Sequence, residues 1–131
     1  MPEFGFGFVP TKRRPKFTRK GRAYDPKANK SEAAAIREAW EEQVGEWKSD
    51  GPIGVAIDVF RKLPKGRPLK VESESDTFKP DVDNIAKAVL DALNGVAFED
   101  DSQVVRLRCS KHPRKRRESD RTFVRIWKEE Q

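Results

Sequence analysis

The stretch Lys79-Pro80-Asp81-Val82-Asp83-Asn84-Ile85-Ala86-Lys87-Ala88-Val89-Leu90-Asp91-Ala92-Leu93-Asn94-Gly95 decides the architecture. Ile85, Ala88, Val89, Ala92 and Leu93 recur at the i, i+3, i+4, i+7, i+8 spacing of a buried helical face. Pro80 and the aspartates open that helix, and Asn94-Gly95 closes it. Asp83, Lys87 and Asp91 are four apart and share a face turned away from the apolar stripe. Leu90 falls among these polar residues and is expected to be an exposed subunit contact. One side of the helix is thus built to lie on a sheet, and the other to carry two acids and a lysine.

Working outward, Ile53, Val55, Ile57 and Val59 alternate with Gly54, Ala56 and Asp58, the period of a β-strand. About Gln103–Ser110, with Val105, Leu107 and Cys109 on one side, and Arg121–Trp127 predict two more strands. Phe4, Phe6 and Phe8 alternate with glycines in a fourth. Ala33, Ile36, Trp40, Val44 and Trp47 predict a helix over about 28–48, stopped by Ser49-Asp50-Gly51-Pro52. The fold class expected is α+β: one domain over 1–131, a small mixed sheet of about four strands, and two helices. The remaining segments read as a basic loop at 10–26, a long mobile loop at 61–80 and a basic turn at 111–120.

The composition limits function. The chain has 131 residues, with 28 Lys+Arg against 22 Asp+Glu, a formal charge of +6. Only 35% of it is hydrophobic, a thin core that favours a partner subunit. No apolar run approaches the ~20 residues of a membrane helix. The N-terminus has no secretory pattern, so the cytoplasm, in association with the nucleoid, is the expected compartment. One cysteine and one histidine exclude a disulfide framework and any site built from Cys or paired His.

The charge is segregated. Residues 12–30 hold nine Lys/Arg and one acid; 111–125 hold seven against two. The rest of the chain is therefore net negative. Basic flanks suit a polyanion, and Lys12, Arg13, Arg14, Lys16, Arg19, Lys20, Lys79, Lys111, Arg114, Lys115, Arg116 and Arg117 are the expected DNA ligands. Phe17 and Tyr24 read as packing under the basic loop, with stacking on an unpaired base as the alternative. His112 reads as a surface residue and Cys109 as core.

An acidic middle repels phosphate unless a cation intervenes. Asp81 and Asp83, two apart in extended backbone, point the same way and can converge on one ion. Glu99-Asp100-Asp101 is a second cluster that the chain reversal can return to the helix start. Oxygen donors without His or Cys suit a hard cation, Mg²⁺ or Mn²⁺. The bland alternatives are an aspartate N-cap, an ordinary Asp83–Lys87 pair, and solvated turn residues.

Three blocks carry a resemblance: Lys79-Pro-Asp-Val-Asp-Asn-Ile-Ala-Lys87, Asp91-Ala-Leu-Asn-Gly95 and Asp100-Asp-Ser-Gln-Val-Val105. They resemble the RusA family of Holliday junction resolvases, over about residues 79–111. The resemblance implies a homodimeric, Mg²⁺-dependent endonuclease (Mn²⁺ possible) that cuts four-way DNA junctions in recombination and repair. It implies Asp81, Asp83 and Asp101 as catalytic, metal-holding acids, Lys87 as the catalytic lysine, and Asp100 as a supporting ligand. Competing expectations are a non-catalytic branched-DNA binding protein and an unrelated Mg²⁺-dependent flap or RNA nuclease.

Overall fold

A computed structural model describes residues 1–24 and 26–129. Its elements are β1 (Glu3–Phe6), β2 (Lys16–Phe17), β3 (Ala23–Tyr24), α1 (Lys27–Gln43), β4 (Ile53–Phe60), β5 (Ser73–Glu74), α2 (Val82–Leu93), β6 (Val104–Lys111), β7 (Arg114–Lys115) and β8 (Arg121–Lys128). A 3-10 turn at Asp101–Gln103 precedes β6. Among the described residues no helix is long and apolar enough to cross a membrane.

Four strands form the main sheet in the order β1-β8-β4-β6. β8 runs antiparallel to both β1 and β4, whereas β6 runs parallel to β4. A parallel pair needs a crossover, and α2 supplies it. The sheet is therefore mixed, as the strand pattern predicts. Ile53, Val55, Ile57 and Val59 of β4 are buried in the same cluster as Ile85, Ala86, Val89, Ala92 and Leu93 of α2. Ile36 and Trp40 of α1 join them, and Trp40 meets the Phe4 ring edge-on at 5.5 Å. At roughly 1.5–3 kcal/mol for each fully buried large apolar side chain, this cluster dominates the stability of a small domain.

The opposite sheet face carries the alternate residues. Trp127 lies so close over Gly54 that a Cβ there would sit 2.3 Å from the indole, so β4 needs glycine at this position. Further along, Phe60 stacks on His112 at 4.4 Å, and His112 Nε2 lies 2.7 Å from Asp58 Oδ1.

Several expectations are corrected. α1 ends at Gln43, short of 48, because Gly45 takes φ +84 and its N–H turns back to the Trp40 carbonyl. Leu90 is half-buried against the core, so the helix stripe is wider than the pattern implied. Val105 and Leu107 are 64% and 46% exposed, because β6 is a sheet edge. Cys109 is half-buried beside the core, where burial and the Asp58 charge push its thiol up to about 11.

The 61–80 segment contains β5, which pairs with β7 of the 111–120 turn. Arg61 grips Asp76 through two hydrogen bonds of 2.9 and 2.7 Å. Arg116 donates to the Pro68 and Val71 carbonyls. Arg114 is buried, bonded to Glu74, with its guanidinium 3.9 Å from the Phe78 ring centroid. Lys111 reaches the Phe78 carbonyl and stands 3.8 Å from Asp76. Lys111, Arg114 and Arg116, expected to meet DNA, here hold two chain segments together.

Burial alone would raise the Asp76 carboxyl, but Arg61 and Lys111 outweigh it and hold it below the usual range. A depressed carboxylate contributes stability above its unfolded pKa of about 3.9, lost as pH falls through the folded value. Asp76→Asn should therefore cost about 3 kcal/mol at pH 7, the scale for removing one partner of a largely buried pair. Denaturant titrations should show the deficit shrinking as pH drops below about 4.

Candidate active site

α2 begins at Val82 after the Asp81 N-cap position, and its buried stripe turns Asp83 and Lys87 outward into solvent. Asp81 is extended and its side chain makes no capping bond to the helix. Among the described residues, Asp81, Asp83 and Lys87 enter no ion pair. The two bland readings, a cap and an i,i+4 pair, are thus not what these groups do. Their carboxylates are left unspent at an exposed helix start.

Asp91, one turn beyond Lys87, is different: Lys12 Nζ lies 3.3 Å from its Oδ2. Lys12 is brought there by Asn84. The Asn84 amide oxygen accepts the Thr11 hydroxyl at 2.7 Å and the Lys12 backbone N–H at 2.5 Å. From the other side, Asn29 of α1 accepts from the Arg13 N–H at 2.9 Å and donates to its carbonyl at 3.0 Å. Arg13 also pairs with Glu32 at 2.6 Å. Residues 11–13 are therefore clasped between the two helices by two asparagines. Asn84 stands inside the first quoted block, yet a surface-helix asparagine carries no periodic signal of such a role.

This clasp sets Arg14 against α2. A cleft of about 400 Å³ is lined by Thr11, Arg14, Lys79, Pro80, Asp81 and Asn84. One aspartate thus shares a cleft with two exposed cations. Such a combination can bind a phosphate on the cations while leaving the carboxylate for a metal or a water.

The second acidic cluster is positioned by Gln103. Its amide oxygen accepts the Glu99 and Asp100 N–H groups at 2.8 and 3.1 Å. Its amide nitrogen donates to the Ser49 and Gly51 carbonyls at 2.8 and 2.9 Å. Asp100 accepts the Ser102 hydroxyl at 3.0 Å. That bond and a hydrogen bond with Asp101 lower the Asp100 carboxyl. Asp101 is raised, first by hydrogen bonding to Asp100, then by desolvation and the charges of Asp100 and Asp91. Negative charge is therefore crowded at Asp101, and α2 contributes to it through Asp91.

Among the described residues, no three His, Cys, Asp or Glu side chains stand close enough together to hold a metal ion by themselves. The donor set nonetheless fits Mg²⁺. That ion keeps several waters and is bound through one or two carboxylates plus a substrate phosphate, not by an all-protein cage. A cation beside Asp101 would also relieve the crowding that raises it.

Of the other cations expected to meet DNA, Arg14, Lys16, Arg19, Lys20, Lys79, Lys115 and Arg117 are exposed. Lys12 and Arg13 are committed to Asp91 and Glu32.

The sequence pattern described as Endodeoxyribonuclease RusA matches residues 7–127. A Bacillus subtilis (strain 168) protein, described as uncharacterized protein YqaN, is 44% identical over 69 residues. That match covers 47% of this chain and 49% of the relative, so the chain spans about half the length of the curated relative it matches. The match to residues 7–127 takes in nearly the whole chain and every acid of the site: the chain belongs to the RusA endodeoxyribonuclease family.

Proposed function

We propose that the chain is a Mg²⁺-dependent endodeoxyribonuclease that binds four-way DNA junctions and resolves them by paired phosphodiester cleavage. The observation that carries this reading is the unspent state of Asp81, which shares a cleft with Arg14 and Lys79, and of Asp83 on the exposed first turn of α2. Carboxylates used for structure are capped or paired; these are neither.

Asp81, Asp83, Asp101 and Asp100 are the proposed ligands; since no three of them converge by themselves, one or two would hold the ion with the substrate phosphate completing its shell. When bound, Mg²⁺ supplies a more acidic water and neutralises charge on the phosphate. Arg14 and Lys79 bind the phosphate that enters the cleft, and their charge draws it in against the acids. Lys87, on the outward face of α2 one turn from Asp83, offers its ammonium to the charge developing on the non-bridging or leaving oxygen. Water adds to phosphorus, one P–O bond breaks, and the leaving oxygen takes up a proton.

Two cuts need two centres, so the reading includes a homodimer. Supporting it, the open edge strand β6 leaves Val105 and Leu107 exposed, apolar surface that a second copy would cover. Leu107→Glu should shift the protein to monomer in sedimentation at micromolar concentration. A wild-type protein that is itself monomeric there would remove the dimer from the reading.

Asp83→Asn and Lys87→Ala should each slow Mg²⁺-dependent cutting of a synthetic four-way junction by about 100-fold or more, the scale of a lost charge-stabilising contact. Undiminished cutting by both variants would remove the site assignment. Asn84→Ala should release the 11–13 segment. Its main effect should be weaker junction binding in gel-shift titration, with the cutting rate at saturating DNA less affected.

A further inference from the structure

We propose that the β2–β3 hairpin is an arm that inserts Phe17 against an unpaired base at the DNA branch point. This deepens the junction reading and rests on it.

The hairpin is small and open. Lys16 pairs with Tyr24 and Phe17 with Ala23. Its turn is closed by the Thr18 N–H donating to the Arg22 carbonyl at 2.8 Å and the Gly21 N–H to the Thr18 carbonyl at 2.9 Å. Gly21 takes φ +80, a conformation that L side chains rarely adopt. Cross-strand partners share a face, so the neighbour of the Phe17 ring on the opposite strand is the methyl of Ala23.

Phe17 is 70% exposed, which overturns the expectation that it packs under the loop. Burying a phenylalanine is worth roughly 1.5–3 kcal/mol, and the fold forgoes that gain here. Within five residues of Phe17 along the chain lie Arg14, Lys16, Arg19, Lys20 and Arg22, all exposed. Among the described residues none of the five forms an ion pair. They contrast with Lys111, Arg114 and Arg116, which are spent on the fold. An uncovered aromatic ring among unpaired cations is the chemistry that grips single-stranded nucleic acid, by stacking on bases and neutralising phosphates. Perfect duplex offers that ring no open base face; a branch point does.

The arm is also in the right place. Its root, residues 11–13, is fixed by Asn84 and Asn29, and Arg14 lines the Asp81 cleft. Three residues of extended chain span at most about 10–11 Å. The Phe17 Cα is thus within about 11 Å of the Arg14 Cα, so its ring stays within a few nucleotides of a phosphate held in that cleft. The proposed stacking and the proposed cutting then fall on the same few nucleotides.

The test uses the full chain and a four-way junction carrying 2-aminopurine beside the branch point, in EDTA so that no strand is cut. Wild type should raise the 2-aminopurine signal on binding. Phe17→Ala should abolish the rise and weaken junction binding about tenfold. Phe17→Trp should restore both, and binding to linear duplex of equal length should be unchanged throughout. Because the side chain is exposed, the thermal midpoint of Phe17→Ala should match wild type. An unchanged signal and affinity in Phe17→Ala, or equal losses on junction and duplex, would overturn the proposal. Cutting with Mg²⁺ is scored separately. A Phe17-dependent signal without cutting overturns the nuclease reading alone; cutting with no such signal overturns the arm alone.

Discussion

α2 lies on β4 in one orientation only. Its apolar stripe of Ile85, Val89 and Leu93 shares one cluster with Ile53, Val55, Ile57 and Val59, and both sets are fully buried. Any rotation about the helix axis would expose part of that buried apolar cluster. The packing therefore fixes more than stability. It aims Asp83 and Lys87 at solvent and places Asp91 toward both Lys12 and Asp101. Because β6 is parallel to β4, the same helix must also bridge the two strands, and the acidic turn at Glu99–Asp101 follows directly from where it ends. The site is a by-product of how a crossover helix satisfies its hydrophobic face.

The charges sort into two populations with different physics. Arg61, Lys111, Arg114 and Arg116 are partly or wholly buried and bonded to carboxylates and carbonyls. Removing one of them strands a partner in a poorly solvated place. The cations of the hairpin are exposed and unpaired, and they repel one another in the free protein. That repulsion is relieved when phosphates arrive, and counterion release adds to the gain. The formal +6 therefore understates the arm and overstates the 111–117 turn.

Much of the architecture was legible because it follows from periodicity. β4 and β8 alternate cleanly, and α2 repeats its stripe, so the strands and helices stand where residue spacing puts them. The errors have one cause: pattern records what a residue is, not what it meets. Leu90 looked exposed because it falls between Lys87 and Asp91, but the core reaches it. Arg114 looked like a phosphate ligand because four basic residues run together, but Phe78 and Glu74 receive it. Phe17 looked buried because phenylalanine usually is. Within the site, Asp81, Asp83, Lys87 and the Asp100-Asp101 pair stood out as acid and lysine spacings. Asn84, Asn29 and Gln103 did not, since an amide that bonds backbone 16 to 72 residues away leaves no local signature.

Cys109 has a consequence for how two copies of this chain can associate. With its thiol pushed up to about 11 by burial and the Asp58 charge, on the order of one molecule in 10⁴ carries the thiolate at pH 7. Only the thiolate attacks a disulfide or an oxidant at a useful rate. The sole sulfhydryl of the chain is thus chemically quiet. A disulfide between copies is therefore disfavoured, and any pairing of copies would be reversible and concentration-dependent.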